Sequence, residues 1–333
     1  MKPTNAQIAV VGAGRMGRGI SLAFAYQGYR VILIDMKDRN REAFLQLKED
    51  ALAEIKNQLD ILVMTDVVSQ SSVDNILGSI DFCSIQDGIH KLQQTDVLFE
   101  AVPEILDVKK SIFELIGAHL PENTIIASTT SSFSANDLAQ YIEGKERYMN
   151  THWLNPAYLI PLVEVSPANE TSPEVLQKMK TLLEGIGKVP VTCAPSPGFI
   201  VPRIQALAMN EAARLVEEGV ATAEDIDKAS TIGFGLRFAI LGLLEFIDWG
   251  GAETLYHASH YLKDSFEEDR FGPPQIIEEK MKKGETGMRA GKGFYDFDGK
   301  NMDEYQVETL RKFIDLLKHL GLLTSPEKKH SLL

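Results

Sequence analysis

Cysteine is nearly absent from this chain: Cys83 and Cys193 are the two in 333 residues. Two distant thiols make neither a disulfide framework nor a zinc-ligand set, so no metal site is expected and a reducing, cytoplasmic setting is. An excess of positive charge is also lacking. The 34 Lys and Arg are outnumbered by 47 Asp and Glu, a formal net charge of −13. That balance offers no general attraction to phosphate backbones or anionic lipid, and it argues against nucleic acid as a partner. Long apolar runs are missing too. None reaches the roughly 20 residues that span a bilayer, so no membrane partner is expected. The first run, "IAVVGAG" (8–14), is too short and glycine-rich for a signal peptide. There is no internal repeat and no low-complexity tract.

What is present is ordinary globular material: 44% apolar and 24% charged residues. The length suits about two domains. "IAVV" (8–11) reads as a buried strand, "RMGRGISLAFAYQG" (15–28) has helical spacing, and "RVILID" (30–35) is a second buried strand. This is a βαβ unit. A helical stretch follows over 38–62. Strand-like runs then recur at 96–102, 123–129, 147–153, 159–165 and 188–193, with helices near 107–119 and 173–185. The alternation predicts an α/β fold with a doubly wound sheet. After "APSPGF" (194–199) helices dominate, at 199–218, 223–231, 240–262, 274–284 and 302–320, with one short strand expected at "GFYDF" (293–297). The predicted boundary therefore separates a sheet domain, 1–195, from an all-helical domain, 196–333.

"VVGAGRMG" places Gly12, Gly14 and Gly17 in the G-x-G-x-x-G spacing, after a strand and at the opening of a helix. The three glycines suit a tight turn, close approach of backbone to a pyrophosphate, and helix–strand packing. Free N–H groups at the helix start would hold the phosphates. Asp35 closes the second strand 18 residues beyond Gly17. A carboxylate there accepts both ribose hydroxyls of NAD and repels a 2′-phosphate, so NAD is the expected cofactor, with Lys37 and Arg39 near enough to soften the preference.

Within "NTHWLNPAYLIPLVEVSP" (150–167), His152 and Glu164 are the two polar groups that stand out from an apolar background. Alone they read as a satisfied core histidine and an unrelated strand carboxylate rather than as an acid/base pair. Three further segments change that: "EAVPEILDVKKSIF" (100–113), "ASTTSSFS" (127–134) and "THWLNP…PLVEV" (151–165). With "SPGFIVPR" (196–203) and "GKGFYDF" (291–297), they resemble the L-3-hydroxyacyl-CoA dehydrogenase family, without gaps from Ser131 to Arg203. The resemblance implies an N-terminal Rossmann domain followed by a helical substrate and dimerisation domain. It further implies NAD-dependent oxidation of a 3-hydroxyl to a 3-ketone by a homodimer. By position, the family's catalytic histidine falls on His152, its orienting glutamate on Glu164, and the serine that hydrogen-bonds the reacting oxygen on Ser131. A family asparagine near the nicotinamide falls on Asn155, and Glu104 and Lys109 fall beside the nicotinamide ribose. The residue types suit the reaction: an imidazole takes the hydroxyl proton while a carboxylate fixes its tautomer.

The chain also departs from the family pattern. Pro202 stands where a substrate-holding asparagine is usual, and proline has no donor. No Lys or Arg occurs between Lys56 and Lys91, where CoA-specific members place lysines. Arg237, in "GFGLRFAILG" (233–242), and the "PAYLIP" run resemble the branch acting on free acids, such as L-gulonate 3-dehydrogenase and L-carnitine dehydrogenase. An arginine there can grip a carboxylate bidentately. The expected small-molecule substrate is a short-chain 3-hydroxyacyl-CoA such as 3-hydroxybutyryl-CoA. A free 3-hydroxy acid is the alternative, and a non-catalytic, crystallin-like NAD-binding protein is a third reading. The amphipathic stretch at 302–320 is an added helix with no expected catalytic role.

Overall fold

The structure is a computed structural model and describes residues 6–323. Its contacts divide into two units, Met1–Met209 and Asn210–Leu333.

The first unit holds an eight-stranded sheet. The strands are β1 (Ile8–Val11), β2 (Val31–Asp35), β3 (Ile80–Ser84), β4 (Val97–Glu100), β5 (Ile125–Ser128), β6 (Tyr148–Trp153), β7 (Leu162–Pro167) and β8 (Val189–Thr192). Their order is β3-β2-β1-β4-β5-β6-β7-β8. All neighbours run parallel except β6 and β7, which are antiparallel. The first six strands have the Rossmann order, with the topological switch between β1 and β4. Helices α1 (Arg15–Ala25), α2 (Arg41–Met64), α3 (Val73–Gly78), α4 (Ile85–Gly88), α5 (Leu106–Gly117), α6 (Ala135–Ala139) and α7 (Pro173–Gly185) connect the strands.

Alternation along each strand divides the core. Ile8, Val10, Leu33, Phe99 and Trp153 pack on one side of the sheet with Phe24 of α1. Ala9, Val11, Ile34, Leu98 and Ile126 pack on the other with α5 and α6 residues. Helix starts follow the sequence: Asn40 accepts from the Ala43 N–H at 2.8 Å, and Ser172 caps α7 directly before Pro173.

The second unit is helical: the C-terminal part of α8 (Val201–Glu217), then α9 (Ala223–Lys228), a π-helical stretch Ala229–Gly235, α10 (Leu236–Ile240), α11 (Leu243–Gly250), α12 (Ala252–Phe266), α13 (Gln275–Lys283) and α14 (Met302–His319). The added helix, α14, packs against α10, and its Tyr305 donates to Glu245 and lies beside Trp249.

Four features differ from the sequence reading. Strand β3 was not anticipated, because Asp81 interrupts "IDFCS" on an edge strand with one exposed position. "GFYDF" is not a strand but a loop with isolated bridges, since the backbone N–H groups of Phe294 and Tyr295 donate to the buried carboxylate of Asp248 at 2.9 and 2.8 Å. The helix expected over 240–262 is broken at Gly251, where φ is +90°. Strand β7 begins at Leu162 rather than 159, because Leu159 and Ile160 turn back to donate to the Pro156 carbonyl at 3.0 and 2.9 Å.

The close approach at the first turn is the tightest local demand. A Cβ on Gly17 would lie 1.9 Å from the Gly12 carbonyl oxygen, and Gly12 itself has φ +107°. Gly17→Ala is therefore expected to cost at least about 2 kcal/mol by overpacking backbone against backbone. Urea unfolding measures this, and an unchanged midpoint would contradict the packing described.

Candidate active site

His152 on β6 and Glu164 on β7 are direct cross-strand partners, so the antiparallel turn of the sheet brings together residues 12 positions apart. Their side chains meet at 2.6 Å between Nδ1 and Oε2. Glu164 has no exposure and His152 has 6%. The other carboxylate oxygen, Oε1, accepts the backbone N–H groups of Ile200 (2.8 Å) and Val201 (2.9 Å) at the start of α8. A helix N-terminus thus holds the carboxylate from one side and the imidazole holds it from the other.

Burial alone would raise the Glu164 pKa. The His152 hydrogen bond and the Val201 and Ile200 N–H groups outweigh it and keep the carboxyl below its ordinary range. An ionised Glu164 only accepts, so Nδ1 carries the proton, and in the neutral ring Nε2 is the acceptor. Phe199 stacks on the imidazole, with ring centroids 5.0 Å apart and planes 11° from parallel. It does so from a left-handed backbone conformation, φ +48°, directly after Gly198 at +74°. Pro202 falls in the first turn of α8, where its missing N–H costs the carboxylate nothing.

A second cluster closes β4 and β5. Glu100, fully buried, accepts from Lys109 Nζ at 2.9 and 3.0 Å, from Ser128 Oγ at 2.6 Å and from the Val102 N–H at 2.8 Å. Every charge in this buried pair is therefore hydrogen-bonded. Lys109 also reaches Glu104 at 3.3 Å. One oxygen of Glu104 gathers Thr130 Oγ1, the N–H groups of Ser131 (3.1 Å) and Ser132 (3.0 Å), and Ser132 Oγ (2.7 Å). Burial raises the Glu104 pKa, but the Thr130 and Ser132 hydrogen bonds and the Lys109 charge bring it below the ordinary value. Glu104 thereby fixes the serine loop by its backbone and by the Thr130 and Ser132 hydroxyls, and Ser131 is exposed on it.

Gly12 follows β1, Asp35 ends β2, Glu100 ends β4 and Ser128 ends β5, all at the carboxyl edge where such sheets bind ligands. The residues fit a dinucleotide. Gly14 is the N-cap of α1 and has no side-chain cap, and a Cβ built on it would meet nothing within 4 Å. Asp35 shares its carboxylate with Arg39, whose Nε donates to Oδ2 at 2.6 Å. Asn155 is exposed in the loop between β6 and β7. Arg237 belongs to the second unit: its Nε donates to the Gly233 carbonyl at 2.8 Å, and its guanidinium lies 5.1 Å from the Phe246 ring centre.

Sequence reasoning missed Phe199, the Ile200 and Val201 N–H groups, and Glu100. The signals were slight: a "PGF" turn opening a helix, and a glutamate inside the strand-like run 96–102.

Two family models match the chain. "3-hydroxyacyl-CoA dehydrogenase, NAD binding domain" covers residues 7–196, and "3-hydroxyacyl-CoA dehydrogenase, C-terminal domain" covers 198–297. A 3-hydroxybutyryl-CoA dehydrogenase of Clostridioides difficile is 30% identical over 292 residues, spanning 88% of this chain and 99% of the relative. A 5-formyl-3-hydroxy-2-methylpyridine 4-carboxylate 5-dehydrogenase of Mesorhizobium japonicum is 28% identical over 308 residues, 92% of this chain and 96% of its own. The crystal structure of a 3-hydroxyacyl-CoA dehydrogenase from Archaeoglobus fulgidus superposes with a TM-score of 0.74 at 31% identity, covering 96% of this chain and all of that one.

The depressed Glu164 pKa makes a stability prediction. Its contribution is fully present above the ordinary value of 4.5 and is lost as pH falls through the lower folded value. The unfolding free energies of wild type and Glu164→Gln should therefore differ more at neutral pH than in acid. A gap that does not change with pH would contradict the assignment.

Proposed function

Because this chain belongs to the 3-hydroxyacyl-CoA dehydrogenase family, NAD-dependent oxidoreductases acting on CH–OH groups, we propose that it oxidises an L-3-hydroxyacyl substrate to the 3-oxo product with His152 as general base. The observation that carries this reading is the buried Glu164 that joins His152 to the start of α8. Bound NAD would supply the acceptor for the hydride of the carbinol carbon. The hydroxyl proton passes to His152 Nε2. Glu164 keeps the ring in that tautomer and stabilises the imidazolium as it forms. The exposed Ser131 hydroxyl would hold the reacting oxygen in line. Asn155 would sit toward the nicotinamide, and Glu104 and Lys109 toward its ribose. Gly12, Gly14, Gly17 and the N-terminus of α1 would hold the pyrophosphate. Asp35 would hold the adenosine ribose, in competition with Arg39.

The names of the CoA-dependent relatives support a short-chain 3-hydroxyacyl-CoA, such as 3-hydroxybutyryl-CoA, as substrate. A specific observation favours a second reading, a free hydroxy acid. The guanidinium of Arg237 is exposed and tethered only through Nε and a ring face, on a helix that follows a π-helical stretch, a feature frequent at functional sites. The pyridine-carboxylate relative and the absence of Lys and Arg from 57 to 90 point the same way. Exposed apolar side chains on the helical unit, among them Val220, Phe234 and Tyr261, support a homodimer, and the two free cysteines support a cytoplasmic setting.

NADH formation should be followed with 3-hydroxybutyryl-CoA, L-carnitine and L-gulonate side by side. Turnover is expected with one class, and His152→Ala should lower kcat by at least about 100-fold while leaving NADH affinity intact. Near-normal turnover by His152→Ala would overturn the assignment of the base.

A further inference from the structure

Lys188 has no place in the chemistry above, yet it is one of the few buried cations in the sheet unit. It stands directly before β8 and is 6% exposed. Its Nζ donates to two backbone carbonyls, Ala157 at 2.7 Å and Ile160 at 2.8 Å. It also lies 5.7 Å from the ring centre of Trp153, the residue after His152. Burial lowers its pKa to about 8. A lone buried ammonium is costly unless its donors are satisfied, and here both carbonyls belong to one segment, the loop 154–161 that links β6 to β7.

The same loop is held from its other side. Ala157 is buried, and a Cβ on Gly19 of α1 would lie 3.2 Å from the Ala157 Cβ. Glycine at 19 therefore lets the loop rest against the helix that opens with the glycine motif. Strand β8 adds a third tie, the Val189 N–H to the Pro161 carbonyl at 2.8 Å. The loop carries Asn155, and its two ends lead to His152 and Glu164.

We propose that Lys188 is a positioning residue: its ammonium ties the 154–161 loop to the start of β8 while Ala157 rests against α1, and so sets Asn155 and the His152 end of β6 against the bound nicotinamide. The proposal rests on the dehydrogenase reading. A positioning loss of this kind acts on the reaction step, because small misplacements of reacting groups cost rate steeply. It leaves the phosphate- and ribose-binding edge of β1 and β2 untouched.

Three proteins test it: wild type, Lys188→Met, which keeps the volume and removes the donors, and Lys188→Arg, which keeps donors and charge. Three readouts are needed: amide hydrogen exchange at Leu159 and Ile160, NADH affinity by fluorescence, and kcat and KM on the substrate found above. In Lys188→Met, exchange at the two amides should quicken and kcat should fall by about 10- to 100-fold. KM and NADH affinity should stay near wild type, and Lys188→Arg should recover most of the kcat. Wild-type exchange and kcat in Lys188→Met would overturn this tie. So would a kcat loss matched by an equal loss of NADH affinity, which marks general damage. If wild type turns over no hydroxy acid, the functional reading fails instead, and hydrogen exchange still decides whether Lys188 holds the loop.

Discussion

Glu164 has no exposure to water, so its charge has to be met from within the protein. Everything that defines the site follows from how that is done. The antiparallel step between β6 and β7 places His152 directly across from it. The first N–H groups of α8 meet its second oxygen. One buried carboxylate therefore fixes the imidazole's tautomer, the approach of α8 and the position of Phe199 against the ring. It also binds the first turn of α8 to the sheet.

The carboxyl edge of the sheet uses the same device a second time. Glu100 and Lys109 are a fully buried ion pair whose remaining valences are taken by Ser128 and a backbone N–H. Through Lys109 this pair reaches Glu104, and Glu104 organises the serine loop through backbone N–H groups and the Thr130 and Ser132 hydroxyls rather than through the Ser131 hydroxyl. In both clusters a carboxylate orders backbone and leaves one polar side chain, His152 Nε2 in one case and Ser131 in the other, without a structural duty in that cluster. Groups left in that state are the ones available to a substrate.

Much of this was legible in the sequence, for identifiable reasons. The strands β1 and β2 and the glycine turn announce themselves through period and spacing, and the Gly17–Gly12 contact shows why glycine is required there. His152 and Glu164 stood out as polar groups in an apolar stretch, and it was the resemblance to the family, not their interval, that marked them as a pair. Phe199 was not found, since its role depends on a left-handed backbone turn rather than on residue type. The donors to Glu164 were invisible, because any residue at 200 or 201 supplies an N–H. Strand β3 was lost because an edge strand tolerates Asp81, and the break at Gly251 was overlooked inside an otherwise helical pattern. The role of Lys188 was not legible, because sequence does not show which carbonyls a loop turns inward.

The central claim is that His152, held by Glu164, accepts the substrate proton. The pH dependence of kcat/KM for oxidation tests it most directly, since that profile reports ionisations of the free enzyme. The account predicts that activity rises with pH along an acid limb in wild type, and that the residual activity of His152→Ala lacks that limb. The same limb in both proteins would assign the proton to another group and contradict the account.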